Sequence, residues 1–323
     1  MRRRVDVEAN MCSGTVANTC SVVKRRTLRP VELSFARRSL AVDASPRIMA
    51  IVNVTPDSFY DRGLTADPAA AVARGVAMVA AGADLLDVGG MTAQPGEPIS
   101  ADAETERVAP VVRGLRELVE VPISIDTYRG EVADAALAAG ADLVNDHTGL
   151  SDPHLLEVVA GHDAGLVLTH LGLAPKQEQD GRYTASFDDI TDALASLAAR
   201  ATGAGVRREA ILVDPGLGFG KDTDTDLETL RRLPELRALG HPVLLAPSHK
   251  EVTAEPLGLS EDALEGTAAV VAVAAYLGVD VLRLHDLPFM AHVARMGWLI
   301  SGRDQAGTER SWSKNDARNR PSR

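Results

Sequence analysis

Short apolar runs alternate along this chain with longer alanine-rich stretches of helical period, and each apolar run gives way to polar residues at its carboxyl end. The runs cover residues 48–52, 84–88, 121–125, 141–144, 164–169, 210–213, 242–246 and 279–284. At their carboxyl ends stand, in order, Asn53, the Gly89-Gly90 turn after Asp87, Asp126, Asn145-Asp146, His170, Asp214, Ser248 to Lys250, and His285-Asp286. The intervening stretches, such as 69–81 and 261–277, have helical length and spacing. Strands alternating with helices predict βα units around a parallel sheet. Eight such units decorated at one end predict a single α/β domain, a (β/α)8 barrel, whose active site is built from the loops at that end. The pattern points to an enzyme.

Length and composition fit that architecture. A chain of 323 residues suits one α/β barrel with tails. The hydrophobic fraction of 45% supports a large core, and an aromatic fraction of 3% makes that core aliphatic. No run reaches the ~18 apolar residues of a membrane helix, so a soluble cytoplasmic protein is expected, without a membrane partner.

Charge divides the chain. Residues 1–44 carry nine Lys or Arg against four acids, and residues 301–323 carry six against three, whereas the body between them holds 19 basic and 38 acidic residues. An acidic body repels nucleic acid, which excludes that class of partner for the barrel. The tails read as solvated and disordered. Both cysteines, Cys12 and Cys20, lie in the first tail, so a disulfide framework and thiol chemistry in the body are excluded. The tail's arginines precede no apolar segment of the kind that marks a secretion signal. Order is expected to begin at Pro46 and Arg47 and to end at Gly302. The expected domains are thus a basic tail over 1–44, the barrel over 45–302 and a second tail over 303–323.

Several strand-end groups carry candidate chemistry, each with a plainer alternative. The loop from Asn53 to Gly63 opens on an amide suited to a metal or phosphate oxygen, while its Pro56-Asp57-Ser58 is also ordinary turn chemistry. Asp126, Asn145 and Asp214 close three different strands at one barrel end. Two carboxylates and an amide suit a heterocycle with adjacent N–H donors, such as a 2-amino-4-oxopyrimidine; the alternative is that the two aspartates cap the next helices. The run Gly216 to Lys221 is one residue short of a Walker A loop, and Asp222 follows the lysine, so a tight turn is the better assignment. Ser248-His249-Lys250 and Arg283-Leu284-His285 place cations at the ends of the last two strands, where barrels often hold phosphate, and Arg283 and His285 alternate towards one side. His147, His154, His162 and His241 read as ordinary surface or capping residues.

Taken together, Asn53 to Gly63, Asp87 to Gly90 with Pro95-Gly96, Ser124 to Thr127, Asn145-Asp146, Asp214 to Lys221, Ser248 to Lys250 and Arg283 to Asp286 resemble the dihydropteroate synthase family in order and spacing, from about residue 46 to residue 300. The resemblance implies a transferase of folate biosynthesis that joins p-aminobenzoate to 6-hydroxymethyl-7,8-dihydropterin diphosphate and releases diphosphate. It implies that Asp126, Asn145, Asp214 and Lys250 hold the pterin ring, and that Asn53 binds Mg2+ with the diphosphate, aided by Arg283 and His285. Ser248 and Phe219 would border the p-aminobenzoate site, and a homodimer through late helices would be expected. Catalytic roles fall to Lys250, Arg283 and His285.

The chain departs from the family's pattern in one exposed loop. Where the family usually continues Glu-Ser-Thr-Arg-Pro-Gly after the paired glycines, this sequence has Met91-Thr92-Ala93-Gln94-Pro95-Gly96, so a hydroxyl and a guanidinium are replaced by Ala93 and Gln94. His249 stands where arginine is usual, and residues 168–171 replace a run richer in methionine. Three activities are compatible with these residues: a working synthase with Arg62 or His249 supplying charge, a pterin-binding paralogue impaired in condensation, and a methyltetrahydrofolate-binding methyltransferase barrel. The Asn53 loop and the Arg283/His285 pair argue against the third, because both look built for diphosphate.

Overall fold

Eight parallel strands succeed one another around a barrel, and each overlaps one of the eight apolar runs. They are β3 (Arg47–Asn53), β4 (Leu85–Gly89), β5 (Ile123–Asp126), β6 (Leu143–Asp146), β7 (Gly165–Thr169), β8 (Ile211–Asp214), β9 (Leu244–Leu245) and β10 (Val281–Leu284). Hydrogen-bonded neighbours run β8-β7-β6-β5-β4-β3-β10-β9, and a single bridge between Val213 and Val243 joins the two ends of this order. This computed structural model describes residues 32–303 apart from 36, 43–44, 55–66, 92–97, 172–184 and 260–262. Most of the Asn53 loop, Ala93 and Gln94, both cysteines, residues 1–31 of the first tail and residues 304–323 of the second therefore lie outside the described residues.

Around the barrel lie α1 (Pro68–Ala80), α2 (Ala101–Leu118), α3 (Gly130–Ala139), α4 (His154–Gly161), α5 (Phe187–Gly203), α6 (Thr223–Arg231), the short α7 (Leu233–Leu236) and α8 (Glu251–Ala254), then α9 (Leu264–Leu277) and α10 (Phe289–Ile300). Several helices start where a short polar side chain can accept an otherwise unpaired backbone N–H. Asp67 caps α1, Ser100 caps α2, Asp222 caps α6, and Ser186 with Asp189 forms a capping box on α5.

Side chains along the strands sort by height in the barrel. The lower interior is apolar, with Met49, Leu85, Leu143, Val167, Leu212, Leu244 and Val281 in one buried cluster. Two residues further along four of these strands, the same inward side carries Asp87, Asn145, Asp214 and Arg283, because side chains repeat every second residue. The strand register puts Asn53, Gly89, Asp126 and Asn145 side by side at one level. An aliphatic floor thus lies beneath a polar mouth.

Order begins earlier than Pro46. An antiparallel hairpin of β1 (Glu32–Ser34) and β2 (Ser39–Ala41) lies inside the stretch expected to be tail. It buries Leu33, Phe35 and Val42 in the same cluster as the barrel floor, so the hairpin plugs the end away from the polar mouth. Arg207 holds it by donating to the Ser34 carbonyl at 3.0 Å, and Arg38 by donating to the Glu120 carbonyl at 2.9 Å.

The same end is stitched by a repeated device. Asp84, Asp142 and Asp280 each precede a strand by one residue and come two residues after a positive-φ glycine, Gly82, Gly140 and Gly278. Each carboxylate accepts a backbone N–H from the neighbouring strand, at Ile48, Ile123 and Val243, and pairs with an arginine, Arg47, Arg116 and Arg237 respectively.

Candidate active site

At the polar mouth, Arg283 is the hub. Its Nε donates to Asp87 Oδ2 and its Nη2 to Asp126 Oδ2, both at 2.6 Å, so one planar guanidinium ties β10 to β4 and β5. Asn145 on β6 donates its amide to the same Asp87 oxygen at 3.1 Å. Burial raises the pKa of Asp87 more than Arg283 lowers it. Burial also pushes Asp126 upward, but Arg283, His147 and Lys250 outweigh it, and the Asp126 carboxyl lies below its usual value.

Across the mouth, β8 and the turn after it supply the other half. Asp214 accepts the Gly216 N–H at 2.8 Å, and burial raises its pKa against the pull of Lys250. Gly216, Gly218 and Gly220 all have φ between 70° and 76°. A Cβ at Gly216 would stand 2.1 Å from the His170 carbonyl oxygen, so glycine is required there. Lys221 is buried beneath this turn and donates to the carbonyls of Gly216 at 2.7 Å and His170 at 3.2 Å. The turn brings Phe219 to the mouth, where the Lys250 ammonium sits 4.5 Å from its ring centre and donates to the Leu217 carbonyl. Burial lowers the pKa of Lys250 to about 8, with Asp214 and Asp226 opposing, so it carries its charge at neutral pH.

Asp126 and Asp214 therefore do not cap helices. The residue before α3 is Arg129, without a side-chain cap, and α6 is capped by Asp222. Ser248 accepts the His285 N–H at 3.3 Å, and His249, at φ 54°, pairs with Asp286 at 2.8 Å and lies 5.8 Å from the His285 ring. The expected row of cations is correspondingly shorter. Burial, then Arg283 and His249, depress His285 to about 3, so it is a neutral imidazole, while Arg283 is engaged by two carboxylates.

His147 corrects its assignment as an ordinary surface or capping residue. Its Nδ1 lies 3.0 Å from Asp126 Oδ1, and its ring stacks on Phe219 with centroids 5.7 Å apart and 12° between planes. The signal was available in sequence, since His147 alternates with Asn145 at the end of one strand. Asp146, between them, turns away and accepts from Thr148 and Leu150, which fixes the loop that carries His147. Arg129 and the buried Glu104, paired at 2.9 Å beside the Gly90 turn, also had no role assigned from sequence.

A parallel (β/α)8 barrel with carboxylates, an amide and two cations converging at the carboxyl ends of its strands belongs to the class of barrel enzymes that enclose a flat polar heterocycle. Residues 49–285 match the family model described as pterin binding enzyme, and the chain belongs to that family, in its dihydropteroate synthase branch. Over 263 residues it is 44% identical to the inactive dihydropteroate synthase 2 of Mycobacterium tuberculosis, covering 79% of this chain and 83% of that protein. It is 36% identical over 271 residues to the dihydropteroate synthase of Bacillus subtilis, covering 83% and 90%. Among solved structures it resembles Xanthomonas albilineans dihydropteroate synthase with 4-aminobenzoic acid, at a TM-score of 0.77 and 36% identity, over 87% of this chain and all of that one.

Proposed function

We propose that this chain is a dihydropteroate synthase-type transferase: it holds a dihydropterin diphosphate in the barrel mouth and joins its methylene carbon to the amino nitrogen of p-aminobenzoate. The observation that carries this reading is the convergence of Asp126, Asn145, Asp214 and Lys250, from four different strand ends, on one pocket floored by aliphatic residues. A 2-amino-4-oxo ring offers adjacent N–H donors to carboxylates and a carbonyl to an ammonium. As the bond from carbon to diphosphate oxygen breaks, positive charge develops on the methylene and the ring, and the two aspartates face it. Arg283, whose Nε and Nη2 are held by Asp87 and Asp126, would meet the departing diphosphate through Nη1, and the Lys250 ammonium adds positive charge nearby. Neutral His285 can donate a hydrogen bond to the diphosphate without itself changing charge. Phe219 and Ser248 border the side from which the aromatic amine approaches.

Mg2+ fits the donors present. Asn53 brings a neutral amide oxygen to the level of Gly89 and Asp126; a Cβ placed on Gly89 would lie 3.7 Å from that oxygen. Mg2+ takes oxygen ligands and is usually shared between one or two protein groups and substrate phosphate. Asn53 is the residue that would hold it, and bound there the ion would neutralise diphosphate charge.

A second reading, a pterin binder with little condensation, is favoured by Ala93 and Gln94 and by the inactive designation of the 44%-identical mycobacterial protein. One experiment separates the two: steady-state product formation by the full chain with Mg2+, the pterin diphosphate and p-aminobenzoate, beside calorimetric pterin binding. Turnover near ~1 per second or above supports the transferase. Tight pterin binding without product supports the second reading, and the absence of both would sink the assignment.

We also propose a homodimer, and a cytoplasmic location in keeping with a biosynthetic transferase. Val273 and Tyr276 on α9 and Met296, Leu299 and Ile300 on α10 are large apolar side chains left exposed on two packed helices, a surface suited to a second copy. Sedimentation as a monomer at micromolar concentration would refute the dimer. Among the described residues no helix is long and apolar enough to cross a membrane.

A further inference from the structure

The carboxylate assigned to the ligand ring is already engaged on both oxygens. Asp126 Oδ2 accepts from Arg283 at 2.6 Å, and Oδ1 lies 3.0 Å from His147 Nδ1. The imidazole also lies parallel to Phe219, at 5.7 Å and 12°, and meets the edge of Tyr128 at 6.3 Å and 84°. A flat aromatic ring with an N–H directed at Asp126 is a small imitation of the ligand itself. Its backbone is held by the Asp146 loop, where Asp146 accepts the Leu150 N–H at 2.6 Å, so only rotation of the side chain can release the carboxylate.

We propose that His147 competes with the ligand ring for Asp126, so that ring binding requires the His147–Asp126 bond to be given up and becomes weaker in acid. The inference rests on the pterin-pocket reading. Protonation strengthens the competitor, because a hydrogen bond between an imidazolium and a carboxylate is stronger than one from neutral imidazole. The charged groups about His147 are Asp126 on β5, Asp146 beside it in sequence, Arg283 on β10, Glu104 on α2 paired with Arg129, and Lys250 over the Phe219 ring. The two aspartates favour the imidazolium, and Arg283 opposes it. Burial opposes it, yet the bond to Asp126 and the charges of Asp126 and Asp146 prevail, and the pKa of His147 lies above the usual histidine value. Histidine is the side chain whose charge is most readily changed near neutral pH, and here its surroundings favour the charged form.

The test is calorimetric binding of 6-hydroxymethylpterin to the full chain from about pH 5 to about pH 8, for the wild type, His147→Leu and His147→Gln, with thermal unfolding measured in parallel. Wild-type affinity should fall about tenfold towards the acid end. His147→Leu should bind more tightly than wild type at that end and vary less than about threefold across the range, and His147→Gln, which keeps a neutral donor, should be equally flat with intermediate affinity. Asp226, raised to about 6, and Lys250, lowered to about 8, titrate in all three proteins, so the difference between profiles isolates His147. If His147→Leu does not fold, the His147→Gln profile decides in the same way. An acid loss as large in the variants as in wild type overturns the inference while leaving the pterin pocket standing. Weaker binding by folded His147→Leu at every pH also overturns it and makes the imidazole a wall of the site. If none of the proteins binds at any pH, the pterin reading fails and the competition falls with it.

Discussion

Arg283 shows how one side chain sets the state of its neighbours. Asp87 is fully buried, and its carboxylate is tolerable only because a guanidinium and an amide reach the same oxygen. Removing the cation leaves a buried charge uncompensated, so Arg283→Ala should lower unfolding free energy by about 3–5 kcal/mol. Arg283→Lys, a point charge without the two-armed fork, should fall between that variant and wild type. Urea unfolding at neutral pH measures both, and a loss below about 1 kcal/mol for Arg283→Ala would show that the cluster relaxes around the gap. Ala93 and Gln94 belong to the same scale. A contact to a charged group is worth about 1.5–3 kcal/mol, so Ala93→Thr with Gln94→Arg should raise kcat/KM by roughly ten- to a hundredfold if that loop limits condensation. An unchanged kcat/KM would remove the loop as the cause.

Among elements, the β1–β2 hairpin carries the main difference from expectation. Its strands have three residues each, and their arginine-rich surroundings give the segment the composition of a solvated tail. Its burial comes from fit. A Cβ on Gly165, at the start of β7, would stand 2.5 Å from the Phe35 ring, so the missing side chain of one element makes room for the aromatic ring of the other. Phe35→Ala should cost about 3–5 kcal/mol by opening a cavity under the barrel floor. Gly165→Val should cost at least as much through the clash. Denaturant midpoints test the pair, and a stable Gly165→Val protein would mean that the hairpin can lift away without penalty. Asp84, Asp142 and Asp280 are the counterexample, since the repeated glycine, small apolar residue and aspartate before a strand can be read directly from sequence.

For the whole molecule, buried histidines and buried carboxylates pull stability in opposite directions on acidification. Burial lowers His170 to about 4, His285 to about 3, and His241 below its usual value. Each is neutral in the folded protein where the unfolded chain already binds a proton, so at these sites the unfolded state takes up more protons below about pH 6.5 and their contribution to stability falls with pH from there towards about pH 4. His147 and the buried carboxylates Asp87, Glu104, Asp146, Asp214, Asp226 and Asp280, whose folded pKa values are all raised, oppose this. The loss should be complete for His170 near its folded pKa and amount to about 3 kcal/mol for that residue. His170→Gln should remove that loss from the acid limb, as read from urea midpoints between about pH 4 and about pH 7. A His170→Gln limb that follows the wild-type one unchanged would contradict the assignment.

The alternation of buried strands with helices and the polarity of strand ends were determined by the sequence alone. Barrel strands are apolar on both faces except where they reach the mouth, and that contrast survives in one dimension. It located Asp126, Asn145, Asp214, Lys250 and Arg283 at one end of the molecule. It also located the turn of Gly216 to Lys221, whose positive-φ glycines the structure bears out. Partner choice was left to the tertiary structure. Arg283 could have faced a phosphate or a carboxylate, and only the approach of β4 and β5 directs it to Asp87 and Asp126. The charge of His285 was likewise set by burial and by the cations beside it. His147 took its role from meeting Asp126 and Phe219, residues 21 and 72 positions away in the chain. The hairpin, too, is defined by the floor it covers. Periodicity is a local property of a chain, whereas burial and pairing are properties of residues brought together from distant parts of it.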